Sequence, residues 1–138
     1  MDEQLRIGPG TTLKVIPRDD DVLEFEAHYA GEGSPPPPHL HPAQDERFEV
    51  LEGEMSTDIA GVQGTLAQGD VIEIARETPH RMWNGAGEPA VLRWETAPAG
   101  RTLDWFREIA ALQGGDEPLG NPATLLERYS DTFQLADR

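Results

Sequence analysis

HLHPAQDERFEVLEG, residues 39–53, places two of the chain's four histidines one residue apart, then a glutamate and a closing glycine. In an extended strand, side chains two residues apart project to the same side, so His39 and His41 point together and Leu40 points away. Four prolines, Pro35 to Pro38, run directly into this pair. They impose a stiff, extended backbone without donors, which suits a connector better than a central strand and sets the height at which His39 is delivered. Such a run also reads as a ligand for an aromatic-grooved partner domain, but here it is fused to a strand. Glu46 follows after a four-residue turn, on the same strand face as Phe48 and Val50. If the two segments neighbour one another, its carboxylate closes on the two imidazoles.

Around this stretch, residues 11–97 read as short strands separated by turn residues, the pattern of a sandwich or barrel. TLKVIPR and VLEFEAHYA come first, the latter alternating Leu23, Phe25, Ala27 and Tyr29 against Val22, Glu24, Glu26 and His28. ERFEVLEGEMSTDIAG gives two strands hinged near Glu52-Gly53, VQGTLAQGD a short one ending at Gly69-Asp70, and VIEIA another. HRMWNGAGEPAVLRWETAPAG reads as a hairpin around Asn84 to Gly87. Beyond residue 100 the period becomes helical. Leu103, Phe106, Ile109, Ala110 and Leu112 share one face, with Thr102 as a cap and Gly114-Gly115 as a stop. A second helix has Asn121 as cap, Pro122 at its first position and Leu125, Leu126, Tyr129 and Phe133 as its apolar stripe. These apolar faces need either the outside of the sheet or a second subunit.

Composition narrows the partners. The chain has 138 residues, 26 acidic against 11 basic, and a formal net charge of −15, which repels nucleic-acid phosphates and anionic lipid headgroups. We expect neither a nucleic-acid nor a membrane partner. The first residues carry no secretory pattern, and no segment is apolar enough to span a bilayer, so a cytoplasmic protein is expected. With no cysteine, any metal must be held by nitrogen and oxygen. A domain of this size folds without a metal staple, so a bound metal points first to function.

A third imidazole, His80, opens a strand after the Pro79 turn, with Met82 and Asn84 on the same parity. Nitrogen donors plus one carboxylate suit iron(II), manganese, nickel, cobalt or zinc, and open coordination positions would let such a site bind substrate. A single histidine near a turn is ordinarily a surface or core residue.

The full pattern is more specific. Gly33, His39, His41, Glu46 and Gly53 occupy every fixed position of the first signature of the cupin superfamily, and Gly69, His80 and Asn84 fall at the spacings of the second. Residues 12–97 thus resemble a small single-domain cupin of the RmlC-like kind. Two positions depart: Ala75 stands where proline is usual and Glu77 where glycine is usual, which puts the path of the loop before His80 in question. The resemblance implies an all-β fold, a cupin-type β-jelly-roll barrel over residues 1–100, with a pair of C-terminal α-helices over 101–138 packed on the same domain. It implies one divalent transition metal per chain held by His39, His41, Glu46 and His80, and a homodimer sharing edge strands.

Phe48, Val50 and Met82 lie two or four residues beyond a proposed ligand on its strand face, where they either line a substrate pocket or simply fill the core. Trp94 belongs to that pocket if Leu92, Trp94 and Thr96 face inward; if Val91, Arg93 and Glu95 do, Arg93 could pair with a substrate carboxylate. Asn84 serves either the pocket or its own turn, and His28 either a polar surface patch or a contact behind the ligands. The function expected is a metal-dependent enzyme on a small molecule, dioxygenase-like or else isomerase- or lyase-like with Glu46 as both ligand and base. The apolar pocket favours aromatic or polyketide-like substrates over sugars. The alternatives are a non-catalytic small-molecule binding cupin and a purely structural metal.

Overall fold

The computed structural model describes residues 3–31, 33, 35–113 and 122–136. Its strands are β1 (Gln4–Gly8), β2 (Thr11–Ile16), β3 (Leu23–Tyr29), β4 (His39–Leu40), β5 (Asp45–Glu52), β6 (Glu54–Ile59), β7 (Val62–Ala67), β8 (Val71–Ile74), β9 (His80–Trp83), β10 (Ala90–Ala97) and β11 (Gln134–Leu135). Two helices, α1 (Thr102–Gln113) and α2 (Pro122–Arg128), stand between β10 and β11. The strands form two antiparallel sheets, β1-β2-β3-β10-β5-β8 and β11-β4-β9-β6-β7. Among the described residues, no helix is long and apolar enough to cross a membrane.

The alternating sequences of β3, β5 and β10 turn one face of the larger sheet inward. Leu23, Phe25 and Ala27 are buried on β3, Glu46, Phe48 and Val50 on β5, and Ala90, Leu92, Trp94 and Thr96 on β10. Register then lines up side chains that are far apart in sequence. Trp94 stands opposite Phe25 on one side and Phe48 on the other, with ring centroids 5.4 and 5.3 Å away. Rings at this spacing pack favourably beyond the area they bury. The inward set is therefore Leu92, Trp94 and Thr96, and Arg93 points outward to Glu49 and Glu24. His28, exposed beside Glu26, belongs to the same outer surface.

The chain passes repeatedly from one sheet to the other. At Gly53 it leaves β5 for β6 with φ +79°, and a Cβ there would sit 2.5 Å from the carbonyl of Pro89, so only glycine fits. The stretch after β9 is likewise a crossing and not the expected hairpin: β9 pairs with β4 and β6 while β10 lies between β3 and β5. The Asn84-Gly85 signal marks a real turn, with Asn84 accepting from the Ala86 amide and donating to the Glu88 carbonyl. A turn signal does not say which strands pair. Two short edge strands, β1 and β11, had no clear periodicity to announce them.

The helical region continues the core. α1 runs beside β1 and sets Phe106 edge-on against Phe25 and Trp94, at 5.5 and 5.3 Å. Trp105, outside the expected stripe, is also buried, because its side of the helix faces Tyr129 and Phe133 of the following segment. Thr102 is the first residue of α1, and its hydroxyl accepts a hydrogen bond from Gln44. The expected Gly114-Gly115 stop and Asn121 cap lie outside the described residues.

The loop before His80 keeps the path that glycine would give it. Glu77 adopts φ +68°, and its amide donates to the His41 carbonyl at 2.9 Å. A left-handed conformation costs a non-glycine residue about 1–2 kcal/mol, partly offset because glycine loses more chain entropy on folding. We therefore expect Glu77→Gly to stabilise the protein by up to about 1 kcal/mol in urea denaturation. A destabilised variant would show that the Glu77 side chain contributes more than its backbone strain costs.

Candidate metal centre

The three histidines converge from the smaller sheet. His39 on β4 pairs directly with His80 on β9, and His41 follows just beyond β4. Their ring centroids lie 4.5 to 5.4 Å apart, and one nitrogen from each falls within 4.8 Å of the others. Two donors bound at about 2.1 Å to one ion can be at most about 4.2 Å apart, so small side-chain adjustments close the set. Glu46 reaches it from the larger sheet: its Oε1 is 2.9 Å from His80 Nε2 and 3.2 Å from His41 Nε2. Adjacent ligands on one ion are separated by about 3 Å.

Hydrogen bonding decides which nitrogen of each ring is available. His41 Nδ1 contacts the Thr132 carbonyl at 2.8 Å, His80 Nδ1 that of Thr78 at 2.9 Å, and His39 Nδ1 that of Pro37 at 3.3 Å. A carbonyl only accepts, so each Nδ1 carries the proton and, in the neutral ring, each Nε2 keeps a lone pair. Trp94 Nε1 donates to Glu46 Oε2 at 2.9 Å, leaving Oε1 turned toward the imidazoles. His41 Nε2 and Glu46 Oε1 are buried with no hydrogen-bond partner among the described residues. With Nε2 unprotonated, two acceptors face one another, an arrangement satisfied either by a proton on Nε2 or by a metal cation between them.

Protonation follows the same geometry. Burial pushes His39 down to about 4, reinforced by His80 and His41, which keeps it neutral and ready to bind a metal near neutral pH. Burial opposes charge on His41 too, but the adjacent Glu46 carboxylate more than offsets it and raises the imidazole. Glu46 itself, pushed up by burial, is held well below the usual carboxylate range by His41 and His80. Without metal, a proton between Glu46 and His41 occupies the place that the donor set offers to an ion.

The remaining residues singled out in the sequence are placed as follows. Phe48, Val50 and Trp94 are buried in the apolar core, and Met82, on the face of β9 that carries His80, is half-buried against it. Asn84 is buried, with both ends of its amide used in its own turn. Sequence parity put Trp94 on one of two faces but carried no sign of its bond to Glu46. Thr132 and Phe133 are further neighbours of the site, at 91 and more residues from the histidines they contact, and no sequence spacing marks them. Two surface grooves, one lined by Arg6, Thr11, His28 and Tyr29 and the other by Ser56, Gln63, Thr65 and Trp83, include none of the four proposed ligands.

The family model for the cupin domain matches residues 25–94, a span that holds both signatures and all four proposed ligands. The chain belongs to the cupin family. No curated protein matches this cupin in sequence. Among solved structures it resembles an RmlC-like cupin from Shewanella frigidimarina, with a TM-score of 0.64 and 20% identity over 74% of this chain and 88% of that one. KdgF from Halomonas sp. gives a TM-score of 0.63 and 19% identity over 73% and 90%. The polyketide cyclase RemF from Streptomyces resistomycificus gives 0.60 and 22% over 71% and 74%. At these identities the likeness shows a shared fold, and the chemistry of this cupin rests on its own residues.

Trp94→Phe should keep much of the ring packing while leaving Glu46 Oε2 without its donor. A buried carboxylate oxygen that loses its partner costs about 2 kcal/mol or more. We expect at least that loss in chemical denaturation of the metal-free variant; an unchanged midpoint would mean that the indole N–H does not support the carboxylate.

Proposed function

We propose that this cupin is a metal-dependent enzyme acting on a small, largely apolar molecule, with His39, His41, His80 and Glu46 as ligands of one divalent transition metal. The observation that carries this reading is the buried acceptor pair, His41 Nε2 and Glu46 Oε1, beside two more imidazoles whose protons are held on Nδ1. A metal bound there would supply a Lewis acid with open positions for an oxygen donor. His39 is half-buried while His41 and His80 are 4% exposed, so a ligand approaches from the His39 side. Phe133 lies against that side, and Met82 follows His80 on its strand, surroundings that favour an aromatic or polyketide-like carbonyl compound over a free sugar.

Glu46 carries the proton chemistry. Trp94 holds Oε2, so the carboxylate keeps one orientation and presents Oε1, which would bind the metal and, on leaving it, accept a proton and return it. This arrangement serves a dioxygenase-like reaction with iron or manganese, the oxidative reading. It also serves an isomerase- or lyase-like reaction, in which the same carboxylate moves a proton beside a polarised carbonyl. The likeness of fold to the polyketide cyclase RemF favours keeping the second reading beside the first.

Incubation of the metal-loaded protein with a panel of small aromatic and polyketide-like carbonyl compounds, under oxygen and without it, tests this function. We expect product by mass spectrometry with the loaded protein, and a loss of at least about a hundredfold in Glu46→Gln. Oxygen consumed in step with product assigns the oxidative reaction; product formed equally without oxygen assigns the other. Metal-dependent binding with no product under either condition would contradict the enzyme and leave a binding module.

A further inference from the structure

The family match ends at Trp94, yet the histidine cluster is completed by residues near the C-terminus. The Nδ1–H groups of His39 and His80 are received by carbonyls two residues away in sequence, whereas that of His41 is received by Thr132, 91 residues away. Thr132 is buried at 2% exposure and sits in the turn that ends α2, where the amides of Thr132 and Phe133 both donate to the Tyr129 carbonyl at 2.8 and 2.9 Å. The Phe133 ring then lies between two others. It stacks on His39 at 4.8 Å and 20° and on Trp105 of α1 at 4.6 Å and 21°, and it meets the edge of His41 at 5.9 Å. Beyond it, β11 pairs with β4, Leu135 opposite His39, and the Ala136 amide donates to the Pro38 carbonyl. The segment is anchored from behind by Arg101, which bonds Asp131 and the Arg128 carbonyl, and by the ion pair of Arg128 with Glu108.

We propose that residues 132–135 are a working part of the metal centre: the Thr132 carbonyl fixes the ring of His41 with Nε2 toward Glu46, and Phe133, backed by Trp105, holds the ring of His39. These are positioning residues, and the proposal rests on the reading that the three histidines and Glu46 hold a metal. The physical reason is that an imidazole free to rotate about its side-chain bonds must be ordered when the ion binds, and groups behind the ligands supply that order in advance. Such a role gives the helical extension a purpose that a lone barrel would not need. It carries Thr132 and Phe133 against His41 and His39, with Trp105 of α1 packed behind the Phe133 ring.

Titration of the metal-free 138-residue chain with cobalt(II), followed by its visible absorption, separates positioning from mere stability. We expect the wild-type chain to bind one cobalt ion and Phe133→Ala to bind it about ten- to a hundredfold more weakly, with a shifted visible spectrum. Phe133→Tyr, which keeps the stacked ring, should recover both affinity and spectrum. Leu125→Ala empties a buried position of α2; it should lower the melting temperature while leaving cobalt affinity within about threefold. Equal affinity and an unchanged spectrum in Phe133→Ala would overturn the proposal. So would an equal loss of affinity in Leu125→Ala, since general loosening of the fold would then explain the effect. Failure of the wild-type chain to bind cobalt at all would instead remove the metal reading, and this proposal with it.

Discussion

Inside the barrel, an acceptor faces an acceptor. Glu46 Oε1 and His41 Nε2 stand 3.2 Å apart, buried, each without a donor among the described residues. Such a pair is costly unless a proton or a metal cation lies between its members. The rest of the architecture follows from keeping it in place. Glu46 comes from the larger sheet and the histidines from the smaller one, so an ion at this point ties the two layers together. Trp94 occupies the other carboxylate oxygen and is itself held among Phe25, Phe48 and Phe106. The aromatic core and the polar site are thus one packed unit, with the indole N–H as the link.

Responsibility is divided along the chain. The segment matching the cupin family holds all four proposed ligands, while the C-terminal extension supplies a carbonyl that contacts His41 and an aromatic ring that stacks on His39. Binding of a metal to such a site would be coupled to the docking of the extension, because the same contacts would order both. Edge strand β11 adds to this coupling by pairing with β4, the short strand that bears His39.

Much of this was legible in the sequence because it rests on short-range periodicity. Alternation in VLEFEAHYA and VLRWETA follows from strands with one buried face, and His39, His41, Glu46 and His80 could be grouped because their spacing survives in a recognisable pattern. Long-range pairing left no such mark. The Asn84-Gly85 turn looks the same whether the chain folds back on its neighbour or crosses to the other sheet. Trp105 fell off the expected stripe because a one-sided helix was assumed, and α1 is covered on two sides. The Thr132 contact uses a backbone carbonyl, which every residue possesses, so no residue type could reveal it. Phe48 and Val50 illustrate a subtler limit: parity placed them inward correctly, but only packing shows how fully they are buried in the core.

Elemental analysis of the protein purified without added metal, paired with its His41→Ala variant and with X-ray absorption at the metal edge, tests the central claim most directly. Expected is about one divalent transition metal per chain, bound through three imidazoles and a carboxylate oxygen, and lost in the variant. No metal in the wild-type protein, even after anaerobic reconstitution, would contradict the claim and leave the buried Glu46 and His41 pair to be held by a proton alone.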